Sequence, residues 1–307
     1  MKIVVTSPSF SKHPMLIKDM EAKFDNYVLN TKGSKFNEDE LIAYIGDAQA
    51  VIVGLDQVTP KVLDACPNLK IVSKYGVGLD NVNLLACKER NIAIGWTGGV
   101  NKLSVAEMVI GNAISLLRNL YYTSNLLKNG KWKKNGGKQL SERVIGVIGV
   151  GHIGKEVIRL LKPFNCTILV NDIIEQDEYY KKNGLINVSK EEIYKTSDVI
   201  TIHTPLTDDT KEIINASSLA LMKNDAVIIN TARGLLVNLD DLEVALKTNS
   251  IGGASIDVYD VEPPKRNGLI SIPNLINTPH IGGNSKEAVY AMGSSAIEHV
   301  CKFFDLK

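Results

Sequence analysis

Short apolar runs rich in valine and isoleucine recur along this chain and alternate with stretches that have helical spacing. Such runs are typical of parallel strands buried on both faces of a sheet. The candidate strands are Lys2–Thr6, Ala50–Gly54, Lys70–Lys74, Ile92–Trp96, Val144–Val150, Thr167–Val170, Val199–His203, Ala226–Asn230 and Leu275–Asn277. The candidate helices include Glu38–Ile45, Val62–Ala65, Gly151–Leu161, Leu239–Lys247 and Ser285–Phe303. The alternation predicts an α/β fold whose parallel sheets are covered by helices on both faces.

The length of 307 residues, with 44% hydrophobic residues, predicts two domains. The clearest boundary is the glycine-rich stretch Thr97-Gly-Gly-Val-Asn101. A capping box, Ser104-Val-Ala-Glu107, follows it and predicts that a long helix begins at Ser104. A polar tract, Lys128–Lys138, comes after that helix and is predicted to be a surface arm or loop.

Charge and composition favour a small-molecule partner. The 35 basic and 34 acidic residues give a net charge of +1 without a dense basic run, which argues against binding nucleic acid or an anionic membrane. No apolar run is long enough for a membrane span, and the amino-terminal run is too short for a signal sequence, so we expect a cytoplasmic protein. The four cysteines are far apart and no histidine stands at ligand spacing, so we expect buried thiols and no metal site.

A glycine turn joins a candidate strand to a candidate helix at Gly149-x-Gly151-x-x-Gly154. Gly149 permits the tight turn, Gly151 lets a pyrophosphate approach the helix N-terminus, and Gly154 allows close packing of helix on strand. His152 and Ile153 lie inside the turn and are predicted to bind the cofactor with it. Asp172 follows the next strand, where an acid accepts hydrogen bonds from an adenosine ribose and repels a 2′-phosphate. The sequence therefore favours NAD over NADP, although a strand-end aspartate that only caps the following helix would look the same.

Two further strand ends carry residues suited to chemistry. Arg233 follows Ala226–Asn230, where a guanidinium can hold a substrate carboxylate in a bidentate fork, although an interdomain salt bridge is a competing interpretation. His280 follows Pro279 and precedes two glycines, which leave room for a ligand, whereas the other four histidines have ordinary structural positions. A carboxylate beside that imidazole would fix its tautomer. Spacing alone does not choose between Asp260 and Glu262 for this role.

These motifs together resemble those of the D-isomer-specific 2-hydroxyacid dehydrogenases, in order and spacing and nearly from end to end. The matching stretches are Tyr75–Val82, Asn101–Glu107, the glycine turn, Asn230-Thr-Ala-Arg-Gly234, Asp257-Val-x-x-x-Glu-Pro263 and Pro279-His-Ile-Gly-Gly283. The resemblance implies a Rossmann domain that binds NAD, residues 99–283, and a discontinuous, flavodoxin-like substrate domain, residues 1–98 and 284–307. It also implies a homodimer formed through the region from Ser104 to about Trp132, although a core-facing helix would show the same apolar stripe.

The resemblance assigns roles to particular residues. His280 would be the acid/base, Glu262 its partner and Arg233 the substrate clamp. Asp257 would contact the nicotinamide amide, and the remaining cofactor-binding residues would be Thr204, Thr231, Ala232 and Gly283. The loop Gly76, Val77 and Gly78 would offer backbone amides to the substrate carboxylate, and Lys74 stands where phosphoglycerate dehydrogenases carry a phosphate-binding arginine.

Several substrates and functions fit this resemblance. The chain resembles a short phosphoglycerate dehydrogenase without a regulatory domain after Lys307, but it lacks a second arginine near Asp56. Glyoxylate, hydroxypyruvate or a branched 2-oxo acid would also suit. The alternatives are an NAD-sensing corepressor-like scaffold and a phosphite-type dehydrogenase. A formate dehydrogenase is disfavoured, because that class pairs its histidine with glutamine and this chain has Glu262.

Overall fold

The computed structural model describes residues 1–33 and 35–306. Its strands are β1 (Ile3–Val5), β2 (Tyr27–Leu29), β3 (Ala50–Val53), β4 (Ile71–Lys74), β5 (Ala93–Gly95), β6 (Val144–Ile148), β7 (Thr167–Asn171), β8 (Ile186–Asn187), β9 (Val199–Ile202), β10 (Val227–Asn230), β11 (Gly253–Ile256) and β12 (Leu275–Asn277). Its α-helices are α1 (Pro8–Ser11), α2 (Pro14–Lys23), α3 (Glu38–Ile45), α4 (Pro60–Ala65), α5 (Leu84–Glu89), α6 (Lys102–Leu117), α7 (Leu120–Lys128), α8 (His152–Leu161), α9 (Asp177–Asn183), α10 (Lys190–Thr196), α11 (Ala216–Ala220), α12 (Leu239–Lys247), α13 (Asn267–Ile270) and α14 (Lys286–Phe303). The predicted α/β class is confirmed.

One compact unit comprises Met1–Asn101 and Ser285–Lys307. Its five strands are all parallel and have the order β2-β1-β3-β4-β5, which is the flavodoxin-like order. The carboxyl-terminal helix α14 belongs to this unit, where the Ser73 hydroxyl donates to the Ala296 carbonyl oxygen at 2.8 Å. The apolar face of α14 thus completes the core beneath β1 and β4.

The other unit, Lys102–Asn284, contains a parallel sheet with the order β12-β11-β10-β9-β6-β7-β8. Strand order reverses at β6, which pairs with β7 on one side and β9 on the other. Such a reversal is where doubly wound sheets bind dinucleotides. The sequence predicts that the chain passes from one domain to the other after residues 98 and 283. In the structure, it passes between the two compact units after Asn101 and Asn284.

The carboxyl ends of six strands in this second sheet lie in one row. Pairing aligns Ile148 with Asn171 and Ile202, Ile202 with Asn230, Asn230 with Ile256, and Ile256 with Asn277. The next residues along the chain open the segments that carry Gly149, Asp172, Thr204, Arg233, Asp257 and His280. Six segments far apart in sequence therefore meet at one edge of the sheet.

The predicted capping box at Ser104 is wrong. Helix α6 begins at Lys102, so Ser104 lies inside its first turn, and its hydroxyl donates to the Gly282 carbonyl oxygen at 2.7 Å. A hydroxyl inside a helix can serve a partner elsewhere, and here that partner is the loop that carries His280. The tertiary contact, which local sequence does not reveal, takes the place of the cap.

The sequence predicts buried thiols and no membrane-spanning segment, and the structure bears on both predictions. Cys66, Cys87 and Cys301 are buried free thiols and Cys166 is half-buried, and burial raises the pKa of each. Across residues 1–33 and 35–306, every helix is too short or too polar to cross a membrane.

Candidate active site

The glycine turn after β6 is shaped by close approach of backbone to backbone. Gly149 has φ +93°, and a Cβ there would lie 2.6 Å from the His203 carbonyl carbon. A Cβ at Gly154 would collide with the Gly149 carbonyl oxygen, whereas a Cβ at Gly151 would meet nothing within 4 Å. Gly149 and Gly154 are thus needed for packing, and Gly151 leaves open space at the N-terminus of α8, where a phosphate binds best.

Asp172 follows β7 and braces the glycine turn. Its Oδ2 accepts the Val150 N–H at 2.5 Å and its Oδ1 accepts the Ile174 N–H at 2.9 Å. Each carboxylate oxygen has a second lone pair for a ligand hydroxyl. Ile173 beside it is 94% exposed and gives an apolar surface suited to an adenine ring. Asp172 therefore caps N–H groups of this turn and not the following helix α9, whose N-cap residue is Gln176, and its remaining lone pairs suit a ribose.

The neighbouring strand ends carry further groups that fit a dinucleotide. The Oγ1 of Thr231 and the Nδ1 of His203 are buried and have no hydrogen-bond partner among the described residues. A buried polar atom of this kind is costly unless a ligand or water satisfies it. The His203 Nε2 lies 2.9 Å from the Thr201 Oγ1, and burial lowers the pKa of this imidazole to about 3.

Arg233 stands in a turn that a buried asparagine holds in shape. The Asn230 side chain accepts the Ala232 N–H at 3.0 Å and donates to the Arg233 carbonyl oxygen at 2.8 Å. The Arg233 Nη1 donates to the Ala232 carbonyl oxygen at 2.7 Å. A Cβ at Gly234 would collide with the Tyr259 carbonyl, so this turn lies directly against the segment that carries the acids. Sequence reasoning gave Asn230 no role, although an asparagine directly after a strand is a known signal for such a turn.

His280 pairs with Glu262. The Nδ1 of His280 lies 3.0 Å from Oε1 and 2.9 Å from Oε2 of Glu262. A carboxylate only accepts, so Nδ1 carries the proton and Nε2 is the nitrogen left for exchange with a ligand. The side chains are 51% and 41% exposed, and His280 has φ +55°, an unusual conformation for a residue with a side chain.

Asp260, the rival acid, is engaged elsewhere. It forms a salt bridge with Arg266 at 2.7 Å, and Arg266 also pairs with Asp240. The hydrogen bond from Arg266 lowers the pKa of Asp260. The structure thus places Glu262, not Asp260, beside the imidazole.

Asp257, at the end of β11, is 1% exposed, and its carboxylate accepts three hydrogen bonds from the segment Thr278–Gly282. Thr204 and Gly283 are half-buried, and Ala232 is buried. His152 is exposed at the start of α8, and Ile153 is half-buried. All the predicted catalytic and cofactor-binding residues lie in the unit Lys102–Asn284.

The predicted substrate-binding residues lie in the other unit. Lys74 is 6% exposed, and its Nζ donates to the Gly54 carbonyl oxygen and to the Asn81 Oδ1. The loop that follows begins at Gly76, with φ +132°, and the Trp96 indole donates to the Val77 carbonyl oxygen at 2.9 Å. Asn81, to which sequence reasoning gave no role, also donates to the Gly54 and Asp56 carbonyl oxygens. Lys74 and Asn81 therefore hold the two ends of this loop.

Known proteins are similar to this chain over most of its length. Residues 110–282 match the family described as D-isomer specific 2-hydroxyacid dehydrogenase, NAD binding domain. The chain is 35% identical over 98% of its length to D-3-phosphoglycerate dehydrogenase of Methanocaldococcus jannaschii, of which it spans 57%. It is 34% identical over 89% of its length to hydroxypyruvate reductase of Thermotoga maritima, of which it spans 90%. A solved structure of D-lactate dehydrogenase from Aquifex aeolicus, complexed with NAD and lactic acid, is 25% identical with a TM-score of 0.83, covering 99% of this chain and 96% of that one.

The matched segment contains the glycine turn, Asp172, Thr231, Arg233, Glu262 and His280. The open space at Gly151 and the unsatisfied polar atoms of Thr231 and His203 fit a dinucleotide, and NAD is the cofactor that the matched domain binds. The chain belongs to the D-isomer specific 2-hydroxyacid dehydrogenase family.

Proposed function

We propose that this protein is an NAD-dependent dehydrogenase that interconverts a D-2-hydroxy acid and the corresponding 2-oxo acid, with His280 as the acid/base. The observation that carries the proposal is the pairing of His280 Nδ1 with both oxygens of Glu262. That pairing fixes the tautomer and leaves Nε2 to exchange a proton with the substrate oxygen. Family membership and the NAD-binding domain support the same reaction.

His280, Glu262 and Arg233 each have a defined task in this reaction. The glycine turn, Thr231 and His203 would hold the dinucleotide, which would supply the hydride acceptor for the hydroxy acid as NAD and the hydride donor for the oxo acid as NADH. In reduction, His280 Nε2–H donates a proton to the carbonyl oxygen, and in oxidation the neutral imidazole takes the hydroxyl proton. Glu262 stabilises the imidazolium form, and Arg233 holds the substrate carboxylate and polarises the carbonyl. Proton transfer by a placed side chain contributes roughly 10²–10⁴-fold in rate.

We infer that the substrate is a small 2-oxo acid without a phosphate group, such as hydroxypyruvate or glyoxylate. Two of the three N–H donors of Lys74 are directed to Gly54 and Asn81, and the ammonium is buried, which suits a residue that fixes the loop better than one that meets a phosphate. The N–H groups of Gly76, Val77 and Gly78 donate to no acceptor in residues 1–33 and 35–306, which supports their binding of a carboxylate. The hydroxypyruvate reductase relative, of which the chain spans 90%, supports the same choice.

A spectrophotometric screen tests reaction, cofactor and substrate together. NADH oxidation is followed with glyoxylate, hydroxypyruvate, its phosphate ester and branched 2-oxo acids, and then repeated with NADPH. We expect turnover with NADH and one of the unphosphorylated acids. A clear preference for the phosphate ester would overturn the inference about Lys74, and NADH binding without turnover of any acid would overturn the enzymatic proposal.

The role of His280 is tested by His280→Ala. We expect this variant to bind NADH as the wild type does, measured by nicotinamide fluorescence, and to lose reduction of the active oxo acid. The matched control is His13→Asn, because His13 caps α2 in the other unit and asparagine also caps a helix. Full turnover by His280→Ala would show that His280 is not the acid/base of the reaction.

We also propose a homodimer formed through α7 and the arm that follows it. None of the nine residues of α7 is buried, and the large apolar side chains of Leu120, Tyr121 and Leu127 are exposed. Trp132 in the arm is 78% exposed, and such a concentration of apolar surface is typical of an interface. Light scattering at micromolar concentration should give the mass of a dimer, and Leu127→Glu should give a monomer. Leu221→Glu, which changes an exposed leucine elsewhere, should remain dimeric.

A further inference from the structure

Asp257 holds the loop that carries His280 from within the protein. Its Oδ1 accepts the Thr278 hydroxyl at 2.6 Å and the Ile281 N–H at 2.9 Å, and its Oδ2 accepts the Gly282 N–H at 2.7 Å. The three donors stand on both sides of His280 along the chain. A single buried carboxylate therefore fixes the loop before and after the imidazole-bearing residue.

The chemistry of a carboxylate suits this task. An ionised carboxylate offers about four acceptor positions and no donor, so it can gather several N–H and O–H groups that point to one place. Hydrogen bonds to a charged acceptor are also roughly twice as strong as neutral ones. His280 has φ +55°, which a residue with a side chain keeps only when its surroundings enforce it. The bonds to Asp257 supply that enforcement.

The same loop is also held by α6. The Ser104 hydroxyl donates to the Gly282 carbonyl oxygen, while the Gly282 N–H donates to Asp257. A Cβ at Gly282 would lie 3.0 Å from the Asp257 Oδ2 and 3.7 Å from the Met108 sulfur, so Gly282 packs closely against both side chains. Gly282 is thereby fixed on both its N–H and its carbonyl side.

We propose that Asp257 is a positioning residue for His280, and that its bonds to Thr278, Ile281 and Gly282 set where the imidazole stands. The family resemblance implies a contact between this aspartate and the nicotinamide amide. Three of its about four acceptor positions are already filled by the loop, so positioning is its main task. The inference rests on the proposed role of His280, and misplacement of a reacting group by about 1 Å can lower a rate about 10²-fold.

Asp257→Asn tests the proposal. Oδ1 accepts from the Ile281 N–H and Oδ2 from the Gly282 N–H, so in either orientation the new amide turns an N–H toward a backbone N–H. Amide hydrogen exchange, measured by NMR on the cofactor-free protein, should become at least about ten-fold faster at Ile281 and Gly282. We expect kcat/KM for the oxo acid to fall about 10²-fold, with NADH affinity within a few-fold of the wild type.

The other outcomes separate the competing explanations. Weakened NADH binding with unchanged exchange at Ile281 and Gly282 would overturn the proposal in favour of a nicotinamide contact. Exchange is measured without turnover, so faster exchange in a protein with no activity on any oxo acid would contradict the proposed function and leave the loop contact standing. Unchanged exchange together with unchanged kcat/KM would overturn the positioning role outright.

Two sets of variants control for general destabilisation. Asp198→Asn changes another buried carboxylate of the same unit, one that accepts the Val144 N–H and pairs with Lys223, and it should leave exchange at Ile281 and Gly282 and kcat/KM unchanged. Thr278→Val removes one donor to Asp257 while keeping the shape, and should lower kcat/KM a few-fold. Thr278→Ser, which keeps the hydroxyl, should restore the wild-type value. Equal losses in the valine and serine variants would contradict the proposal.

Discussion

The glycine turn at 149–154 and the loop at 278–283 follow strands of the same sheet, but different contacts fix them. In the turn, glycines let backbone approach backbone, as where Gly149 lies against His203. In the loop, side chains from distant positions hold the backbone, since Asp257 accepts the Gly282 N–H and Ser104 donates to the Gly282 carbonyl oxygen. The glycine turn depends mainly on the absence of side chains at its own glycines, with Asp172 as a brace, whereas the loop depends on partners elsewhere in the chain.

This difference has a functional counterpart. A pyrophosphate needs only backbone N–H groups and a helix N-terminus, which a local sequence can supply. A proton-transferring imidazole must be placed within hydrogen-bond reach of its substrate oxygen, which demands that its supporting residues be fixed too. We therefore expect changes around His280 to alter the rate, and changes in the glycine turn to alter cofactor binding.

The largest expected effect is at Glu262. Glu262→Gln keeps the size of the side chain and removes the charge that stabilises the protonated imidazole, so kcat/KM for the oxo acid should fall at least about 10²-fold. NADH affinity should stay within a few-fold of the wild type, as fluorescence titration would measure. The kcat/KM and the NADH affinity are measured on the same preparation of enzyme.

Asp260→Asn is the matched control for Glu262→Gln. Asp260 pairs with Arg266, so its loss should reduce thermal stability slightly and leave kcat/KM within a few-fold of the wild type. If Asp260→Asn lost as much activity as Glu262→Gln, the pairing of Glu262 with His280 would not explain the reaction.

The next effect separates packing from binding inside the glycine turn. A Cβ at Gly154 would collide with the Gly149 carbonyl oxygen, so Gly154→Ala should lower the free energy of unfolding by about 1–3 kcal/mol and also weaken NADH binding. Gly151→Ala places its Cβ in open space, so it should weaken NADH binding at least about ten-fold without a loss of stability. Chemical denaturation and fluorescence titration measure the two quantities. Normal NADH affinity in Gly151→Ala would mean that the pyrophosphate does not approach this glycine.

Sequence alone predicted most of what depends on local pattern. The Val- and Ile-rich strands, the helices Glu38–Ile45 and Leu239–Lys247 and the glycine turn all appear at or near their predicted positions. It missed β11, Gly253–Ile256, because glycine, alanine and serine carry no β-branched signal, although neighbouring strands bury this segment. It also missed β2 and β8, which are very short strands at sheet edges.

The finer features of the site depend on contacts between residues far apart in the chain. Local sequence suggested that Ser104 caps a helix, because it does not show that Gly282, 178 positions away, offers a carbonyl oxygen. Asp260 and Glu262 remained tied, because the choice depends on Arg266, which takes Asp260 into an ion pair. Partners such as these become visible only when the chain is folded.

A smaller effect is expected for the choice of cofactor. Asp172 stands at the edge of the glycine turn, and two unit charges about 4 Å apart repel by about 1 kcal/mol in water. Asp172→Ser should therefore lower the preference for NADH over NADPH roughly ten-fold, measured as the ratio of kcat/KM for the two cofactors. Glu191→Gln removes one negative charge from an exposed ion pair on α10 and should leave the ratio unchanged. An unchanged ratio in Asp172→Ser would mean that this aspartate only caps the backbone N–H groups of Val150 and Ile174.

The smallest expected effect concerns stability at acid pH. It again separates the glycine turn from the loop that carries His280, because His203 lies directly behind the glycine turn. Burial lowers the pKa of His203 to about 3, whereas an unfolded histidine has a pKa of about 6.5. Between those values the unfolded chain binds a proton that the folded protein does not. The free energy of unfolding should then fall as the pH is lowered through this window, by at most about 1.4 kcal/mol per pH unit. His203→Gln removes this titration, so urea unfolding at pH 5 and pH 6 should show a shallower pH dependence than in the wild type, with equal slopes for both proteins above pH 7. Equal slopes at acid pH as well would show that protonation of His203 does not destabilise the unit that carries the glycine turn.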